Sequence, residues 1–167
     1  MKNIVLIGMP ASGKSTVGVI LAKTLGIGFV DTDLVIQQRE GRLLQDIIDT
    51  DGLDKFLEAE ENAILSLECK NSVISTGGSA VFGKRAMEKL EKDAVTVFID
   101  VSPSALKKRL SNIKTRGIAA KHGESVEDIL KERLPLYKKY ADFTISTENE
   151  KVENSVEKIV SLLKLNK

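Results

Sequence analysis

The sequence predicts an α/β chain in which a parallel sheet is covered by helices on both faces. Two observations carry that expectation. Short apolar runs alternate with longer helical patterns along all 167 residues, the arrangement that builds βαβ units. The first apolar run, Ile4-Val5-Leu6-Ile7, leads straight into Gly-Met-Pro-Ala-Ser-Gly-Lys-Ser-Thr at 8–16, a complete G-x-x-x-x-G-K-[ST] phosphate loop opening a helix.

Taken in order, the strand candidates are 3–7, a brief 28–30, 73–76, 94–100 and 143–146, with helices filling the gaps. Lys14 to Leu25 reads as the loop helix, with Val17, Ile20, Leu21 and Leu25 at helical spacing. A further helix is expected from Leu34, with Asp33 as one candidate for its cap. Ser102-Pro103 offers an N-cap followed by proline at the first helical position, opening a helix to about Leu110. Ser125-Val126-Glu127-Asp128 resembles a capping box, and Pro135 is expected to kink or split the helix that follows near Leu134. Val152, Val156, Ile159, Val160 and Leu163 share one face of a closing amphipathic helix. Residues 111–124 hold Lys114, Arg116, Gly117, Lys121, His122 and Gly123 with few apolar anchors, which reads as a mobile lid.

One domain spanning 1–167 is expected, since this length can bury a core without disulfides or metals. A formal net charge of +1 gives no global pull toward nucleic acid or an anionic membrane, so anion recognition must be local. Cys69, the single cysteine, falls in a helical pattern, cannot form an internal disulfide and suits a reducing compartment. Met1-Lys2-Asn3 runs directly into the first strand, and no apolar run reaches membrane-spanning length. A cytoplasmic monomer acting on a small molecule is the expectation.

The loop chemistry follows from residue type. Gly8 and Gly13 allow tight turning and bring backbone amides, with those of Ala11 and Ser12, against phosphate oxygens. Lys14 is expected to bridge the β- and γ-phosphates of ATP, Ser15 to bind Mg²⁺ through its hydroxyl, and Thr16 to face the α-phosphate. Phe29-Val30-Asp31-Thr32-Asp33 ends the second strand at the sheet edge where open α/β folds bind ligands. Asp31 could hold a Mg²⁺-bound water, and Asp33 could accept a hydrogen bond from an acceptor hydroxyl and orient or deprotonate it. Gly77-Gly78, after the third strand, admits close approach of a ligand or simply makes a tight turn. Arg116 could swing over the phosphates as an arginine finger or sit solvated in its loop. Arg133 is either an anion clamp or an ordinary helical arginine. His122, the only histidine, is assigned no chemistry.

Over nearly its whole length the chain resembles the shikimate kinases. The matching residues are the loop from Gly8, Phe29 to Asp33, Glu40-Gly41-Arg42, Asp51-Gly52, Phe56 with Glu60-Glu61, Gly77-Gly78, Arg116, and Arg133-x-Pro-Leu-Tyr137. The resemblance implies a three-layer P-loop kinase fold, a five-stranded parallel sheet of order 2-3-1-4-5 with a lid. It also implies an ATP- and Mg²⁺-dependent transfer of the γ-phosphoryl group to the 3-hydroxyl of shikimate, in aromatic amino acid biosynthesis. By that resemblance Asp33 binds the acceptor hydroxyl, Gly78 touches its ring, Arg133 holds its carboxylate, Arg116 acts from the lid and Arg109 stacks on adenine. Three positions depart from the family pattern. Leu57 stands where an arginine reaching the acceptor carboxylate and paired with the acid at Glu60 is usual, Ser79 replaces a third glycine, and Arg116-Gly117-Ile118 replaces Arg-Pro-Leu. Losing one charge-assisted clamp costs on the order of 1.5–3 kcal/mol, roughly one to two decades in affinity. A kinase of another polyol, sugar acid or nucleotide, with Leu57 lining a less polar pocket, and a non-catalytic nucleotide-binding module stay open beside the shikimate reading.

Overall fold

Five parallel strands in the order β2-β3-β1-β4-β5 form the sheet in a computed structural model that describes residues 2–111, 118–148 and 150–165. The strands are β1 (Asn3–Ile7), β2 (Gly28–Asp31), β3 (Ser72–Ser75), β4 (Ala94–Asp100) and β5 (Phe143–Ser146), each within a residue of its sequence expectation. Register pairs Val5 with Ile74 and Thr96, Val30 with Ile74, and Phe98 with Thr144. Ile4, Val5, Leu6 and Ile7 are all buried, so β1 is covered on both faces, as a central parallel strand must be.

The helices are α1 (Lys14–Leu25), α2 (Thr32–Glu40), α3 (Leu44–Asp51), α4 (Leu53–Leu65), α5 (Lys84–Asp93), α6 (Pro103–Ser111), α7 (Val126–Tyr140) and α8 (Val152–Leu165), with a 3-10 turn at Ala80–Phe82. α1 and α8 pack together, while α5 and α7 lie on β4. The main apolar core lies between these helices and the sheet and includes Leu21, Ile74, Phe98, Tyr137 and Ile159. A second, smaller cluster of Ile36, Leu44, Ile47, Phe56, Ala63 and Ala119 holds α2, α3 and α4 together.

Four local expectations need correction. The first acidic cap is Asp31, not Asp33: its Oδ1 accepts from the Asp33 N–H at 3.0 Å, and α2 begins at Thr32 rather than Leu34. A carboxylate one residue outside the helix can reach the orphan amide of the first turn, whereas Asp33 is already inside it. Pro135 does not split α7, which runs unbroken from Val126 to Tyr140. The carbonyl that loses its partner is that of Lys131, four residues back on the exposed face, where water can satisfy it. Cys69 lies not in a helix but in the connection between α4 and β3, half-buried against the core. Finally, Leu57 packs onto the smaller apolar cluster and is not among the residues lining the cavity described below.

The Ser125 capping box is present: the Ser125 Oγ accepts from the Asp128 N–H and the Asp128 carboxylate from the Ser125 N–H, both at 3.1 Å. Ser102 caps α6 through Ala105, at 3.3 Å. Residues 112–117, less than half of the expected lid at 111–124, lie outside the described residues. Among those that are described, no helix is long and apolar enough to cross a membrane.

Candidate active site

The site grows from the C-terminal ends of β1, β2 and β3. β1 ends at Ile7, and Gly8 turns the chain away with φ 149°. A Cβ at Gly8 would sit 2.7 Å from the Ile99 carbonyl oxygen, closer than atoms tolerate, so the first loop glycine is fixed by both dihedral and space. Ala11 takes φ 64°, a left-handed conformation that costs a non-glycine residue energy and is held by the surrounding loop. The Lys14 ammonium is buried inside the loop and donates to the carbonyls of Gly8 and Met9, both at 2.8 Å, and to Ser12 Oγ at 3.3 Å. These contacts curl the loop around a cation, and α1 starts from Gly13, whose lack of a side chain rules out a side-chain cap of its own, an anion-binding cradle at a helix N-terminus.

β2 delivers the carboxylates. Ser15 Oγ donates to Asp31 Oδ2 at 2.8 Å and stands 3.2 Å from Ser75 Oγ, so the first turn of α1 is tied to the ends of β2 and β3. Asp31 therefore does two jobs, one oxygen capping α2 and the other meeting Ser15. Ser15 and Asp31 offer hard oxygen donors, and Mg²⁺ commonly keeps several waters and takes phosphate oxygens for the rest, so two protein oxygens fit that ion. No cluster of three or more His, Cys, Asp or Glu occurs among the described residues.

Asp33, in the first turn of α2, faces the end of β3. Thr32 Oγ1 accepts from the Gly77 N–H at 3.2 Å, and Thr76 bonds the Leu6 carbonyl through both its N–H and its hydroxyl, so the Gly77-Gly78 turn is anchored to β1 and α2 together. A Cβ on Gly77 would lie 2.9 Å from Asp33 Oδ1 and collide with Glu60 Oε2, so a side chain here would have to displace both carboxyl groups.

A cavity of about 370 Å³ opens here, bordered by Lys14, Asp31, Asp33, Gly78, Glu60 and Arg133 among others. Arg133, on the buried face of α7, is 2% exposed. One end of its guanidinium donates to the Ala119 carbonyl, while Nε and Nη1 have no hydrogen-bond partner among the described residues. Its Cζ lies 5.5 Å from the Phe82 ring centroid, which helps hold the cation in place. Tyr137, one turn on, donates its hydroxyl to the Gly78 carbonyl at 2.6 Å and stacks on Phe98 with 5.1 Å between centroids. Burial pushes the Tyr137 hydroxyl far above the ordinary tyrosine range, so it stays a hydrogen-bond donor.

On the outer side of the loop a second hollow of about 460 Å³ is bordered by Ala11, Gly13, Thr16, Arg109 and Thr147 among others. Arg109 donates to the Ala11 carbonyl at 3.2 Å, which ties α6 to the loop. Thus Gly8, Ala11, Ser12, Gly13, Lys14, Ser15, Thr16, Asp31, Asp33, Gly77, Gly78, Arg109 and Arg133 all gather around one loop and two adjoining hollows. Arg116 lies outside the described residues.

Glu60 and Ser79 enlarge the set that sequence reasoning singled out. Glu60 is 2% exposed, and its Oε1 accepts from Ser79 Oγ at 2.6 Å. Burial pushes its pKa up to about 7; the Ser79 hydrogen bond opposes the rise, the Asp33 charge adds to it, and Arg133 and Lys14 oppose it. The signal was available on α4, where Glu60 shares a helical face with Phe56, Ala63 and Ile64, all buried. An acid on an otherwise apolar stripe marks a polar group that the fold buries for a reason.

Three comparisons agree with this geometry. A family model described as shikimate kinase matches residues 10–164. The chain is similar to the shikimate kinase of Thermodesulfovibrio yellowstonii, 39% identical over 96% of this chain and 94% of that protein, and to that of Mycobacterium avium, 38% identical over 95% and 92%. Among solved structures it is similar to a shikimate kinase from Acinetobacter baumannii in complex with shikimate, with TM-score 0.93 and 30% identity, covering 100% of this chain and 95% of that one. It is also similar to the shikimate kinase of Aquifex aeolicus, with TM-score 0.84 and 33% identity over 98% and 97% of the two chains. A phosphate loop, a carboxylate pair and a buried arginine around one cavity, together with these matches, show that the chain belongs to the shikimate kinase family, ATP-dependent kinases of a small hydroxylated molecule.

Proposed function

We propose that this chain moves the γ-phosphoryl group of ATP to the 3-hydroxyl of shikimate, with the residues of the two hollows in separate roles. The observation that carries the reading is Arg133: a buried guanidinium whose Nε and Nη1 have no hydrogen-bond partner among the described residues, in a cavity shared with the phosphate loop and Asp33, calls for an anionic acceptor. A planar carboxylate is its best match, because a guanidinium fork and a carboxylate can pair through two parallel bonds.

In this reading the loop amides from Gly8 to Thr16 hold the phosphates, and Arg109 with the hollow beside it takes the adenine. Lys14 exchanges its loop carbonyls for β- and γ-phosphate oxygens and offsets charge on the transferring group. Ser15 directly, and Asp31 through water, would hold Mg²⁺, which neutralises phosphate charge when bound. Asp33 receives the acceptor hydroxyl's proton as a hydrogen bond, aims the oxygen and removes the proton as transfer proceeds. Gly77 and Gly78 let the acceptor ring lie against the backbone. Arg116, from a lid over about 111–124, adds positive charge in the transition state, and closure of that lid keeps water from competing as nucleophile.

The test is a coupled ADP-release assay with shikimate beside a control without acceptor. Shikimate-dependent release, lost about 10²–10³-fold in Lys14→Ala and about 10²–10⁴-fold in Asp33→Asn, is the expected result. Asp33→Asn should leave nucleotide affinity nearly intact. Release that appears only with gluconate-like acids or nucleoside monophosphates would move the reading to another acceptor, and Mg·ATP binding without turnover on any of them would remove it.

A further inference from the structure

The end of β3 carries a buried hydroxyl, that of Ser75, which borders neither hollow. The strand register sets Ser75 directly beside Asp31 of β2 on one side and Leu6 of β1 on the other. Residues in register on adjacent parallel strands send their side chains to the same face of the sheet, and both Asp31 and Ser75 reach Ser15 in the first turn of α1. Asp31 Oδ2 lies at 2.8 Å and Ser75 Oγ at 3.2 Å from the Ser15 hydroxyl oxygen. Among the described residues, Ser15 is the one hydrogen-bond partner of the Ser75 hydroxyl.

The supply of protons sets the direction of that bond. Ser15 has a single hydroxyl proton, and it goes to the Asp31 carboxylate, which only accepts. Ser75 is therefore the donor in its contact with Ser15. The Ser15 oxygen is left with its proton held by Asp31, one acceptor site filled by Ser75 and one acceptor site open. In phosphate-loop NTPases the loop Ser or Thr shares the ion with a strand-borne aspartate. Here β2 supplies the aspartate, and the neighbouring strand adds a hydroxyl that fixes how the loop serine is turned.

We propose that Ser75 is a positioning residue for the divalent cation: by donating to Ser15 it holds that hydroxyl in one orientation, so the open lone pair is aimed before the cation arrives with the nucleotide. Ser75 acts through Ser15 and not on the acceptor, since it lies outside the cavity that Asp33 and Arg133 border. The inference rests on the placing of Mg²⁺ at Ser15 and Asp31 given above. Outer partners that orient a metal ligand are typically worth roughly 10–100-fold in metal affinity.

The experiment follows Mn²⁺, a spectroscopic stand-in for Mg²⁺, by electron paramagnetic resonance in the ADP complexes of wild type, Ser75→Ala, Ser15→Ala and the double variant. Calorimetry of ADP binding in EDTA runs beside it. Ser75→Ala should raise the Mn²⁺ Kd by about 10-fold and leave metal-free ADP affinity within about twofold. The Mg²⁺ concentration that half-saturates shikimate phosphorylation should rise by a similar factor while the shikimate KM holds. Adding Ser75→Ala to Ser15→Ala should cost nothing further, because the two hydroxyls form one coupled unit. Unchanged Mn²⁺ affinity in Ser75→Ala overturns the proposal. An equal loss of ADP affinity with and without metal also overturns it, since that marks a packing role, and so does a further loss in the double variant. Should Ser75→Ala not fold, Ser75→Cys, similar in size and a far weaker donor, takes its place with the same outcomes. Wild type that binds ADP and takes up no Mn²⁺ with it removes the metal placement and this inference together, while the acceptor assay decides the shikimate reading independently.

Discussion

A carboxyl group sealed into a cavity wall lowers stability at neutral pH, and Glu60 makes that cost measurable. Its pKa rises from an ordinary 4.5 to about 7, with burial as the leading cause. An acid whose folded value is raised binds its proton more tightly in the folded protein, so folding carries no penalty from it at low pH. The penalty develops as pH climbs from the unfolded value through the folded one, and is complete above about 7 at on the order of 3 kcal/mol. Glu60→Gln, neutral at every pH, should therefore match wild type near about pH 4.5 and exceed its stability at about pH 8 by an amount of that order. Urea denaturation of both proteins at the two pH values checks it. A stability difference that does not change with pH would mean that Glu60 titrates in its ordinary range.

The elements explain how much of this was legible in advance. The five strands announced themselves because each is a short apolar run closed by glycine, proline or polar residues, and β1 and β4 are buried along their length. The phosphate loop was legible because its glycines answer to local geometry, as Gly8 and Gly13 do with φ of 149° and 94°. The helix N-terminus at Asp31 was misread by two residues because three acceptable caps, Asp31, Thr32 and Asp33, stand in a row, and only the tertiary contact to Ser15 says which is used. The Glu60–Ser79 bond joins residues 19 apart, and no local pattern reports which buried hydroxyl an acid will meet. α7 shows the same limit. Its capping box was readable, but its attachment to the end of β3 is made by Tyr137 reaching the Gly78 carbonyl, 59 residues away. Tyr137→Phe keeps the stacking on Phe98 and removes only that bond. It should cost about 1 kcal/mol of stability by thermal or urea melting, and up to about 3 if the carbonyl is left dry. Because the bond anchors the glycine turn, the shikimate KM should rise by about 3- to 10-fold while the ATP KM holds, a split that steady-state kinetics reads directly.

At the scale of the whole molecule, the two substrates are held by parts of unequal robustness. The loop, α1 and Arg109 stand on the main core, where the sheet is packed by helices and residues such as Leu6, Leu21 and Phe98 are fully buried. Asp33 and Glu60 sit on α2 and α4, which close over the smaller cluster around Ile36, Ile47 and Phe56. Leu34 and Leu43, in and next to these helices, are 56% and 63% exposed, so this part of the chain buries less of its apolar surface than the sheet does. Segments with fewer buried apolar contacts open at lower free energy than the global unfolding, and binding sites are drawn from that less stable end. Hydrogen exchange followed by mass spectrometry should accordingly show α2 and α3 exchanging faster than β1, β3 and β4 in the free protein. Shikimate at about 100 times its dissociation constant should slow exchange in α2, α3 and α4 by the equivalent of about 2.7 kcal/mol, provided that opening of these helices releases the acceptor. Mg·ADP alone should instead protect the loop and α1. The division of labour predicts two separable footprints, one for each substrate. If shikimate protected the loop and α1 as strongly as α2 and α3, the acceptor site would not be carried on a separately opening unit, and the two-part description of this fold would have to be given up.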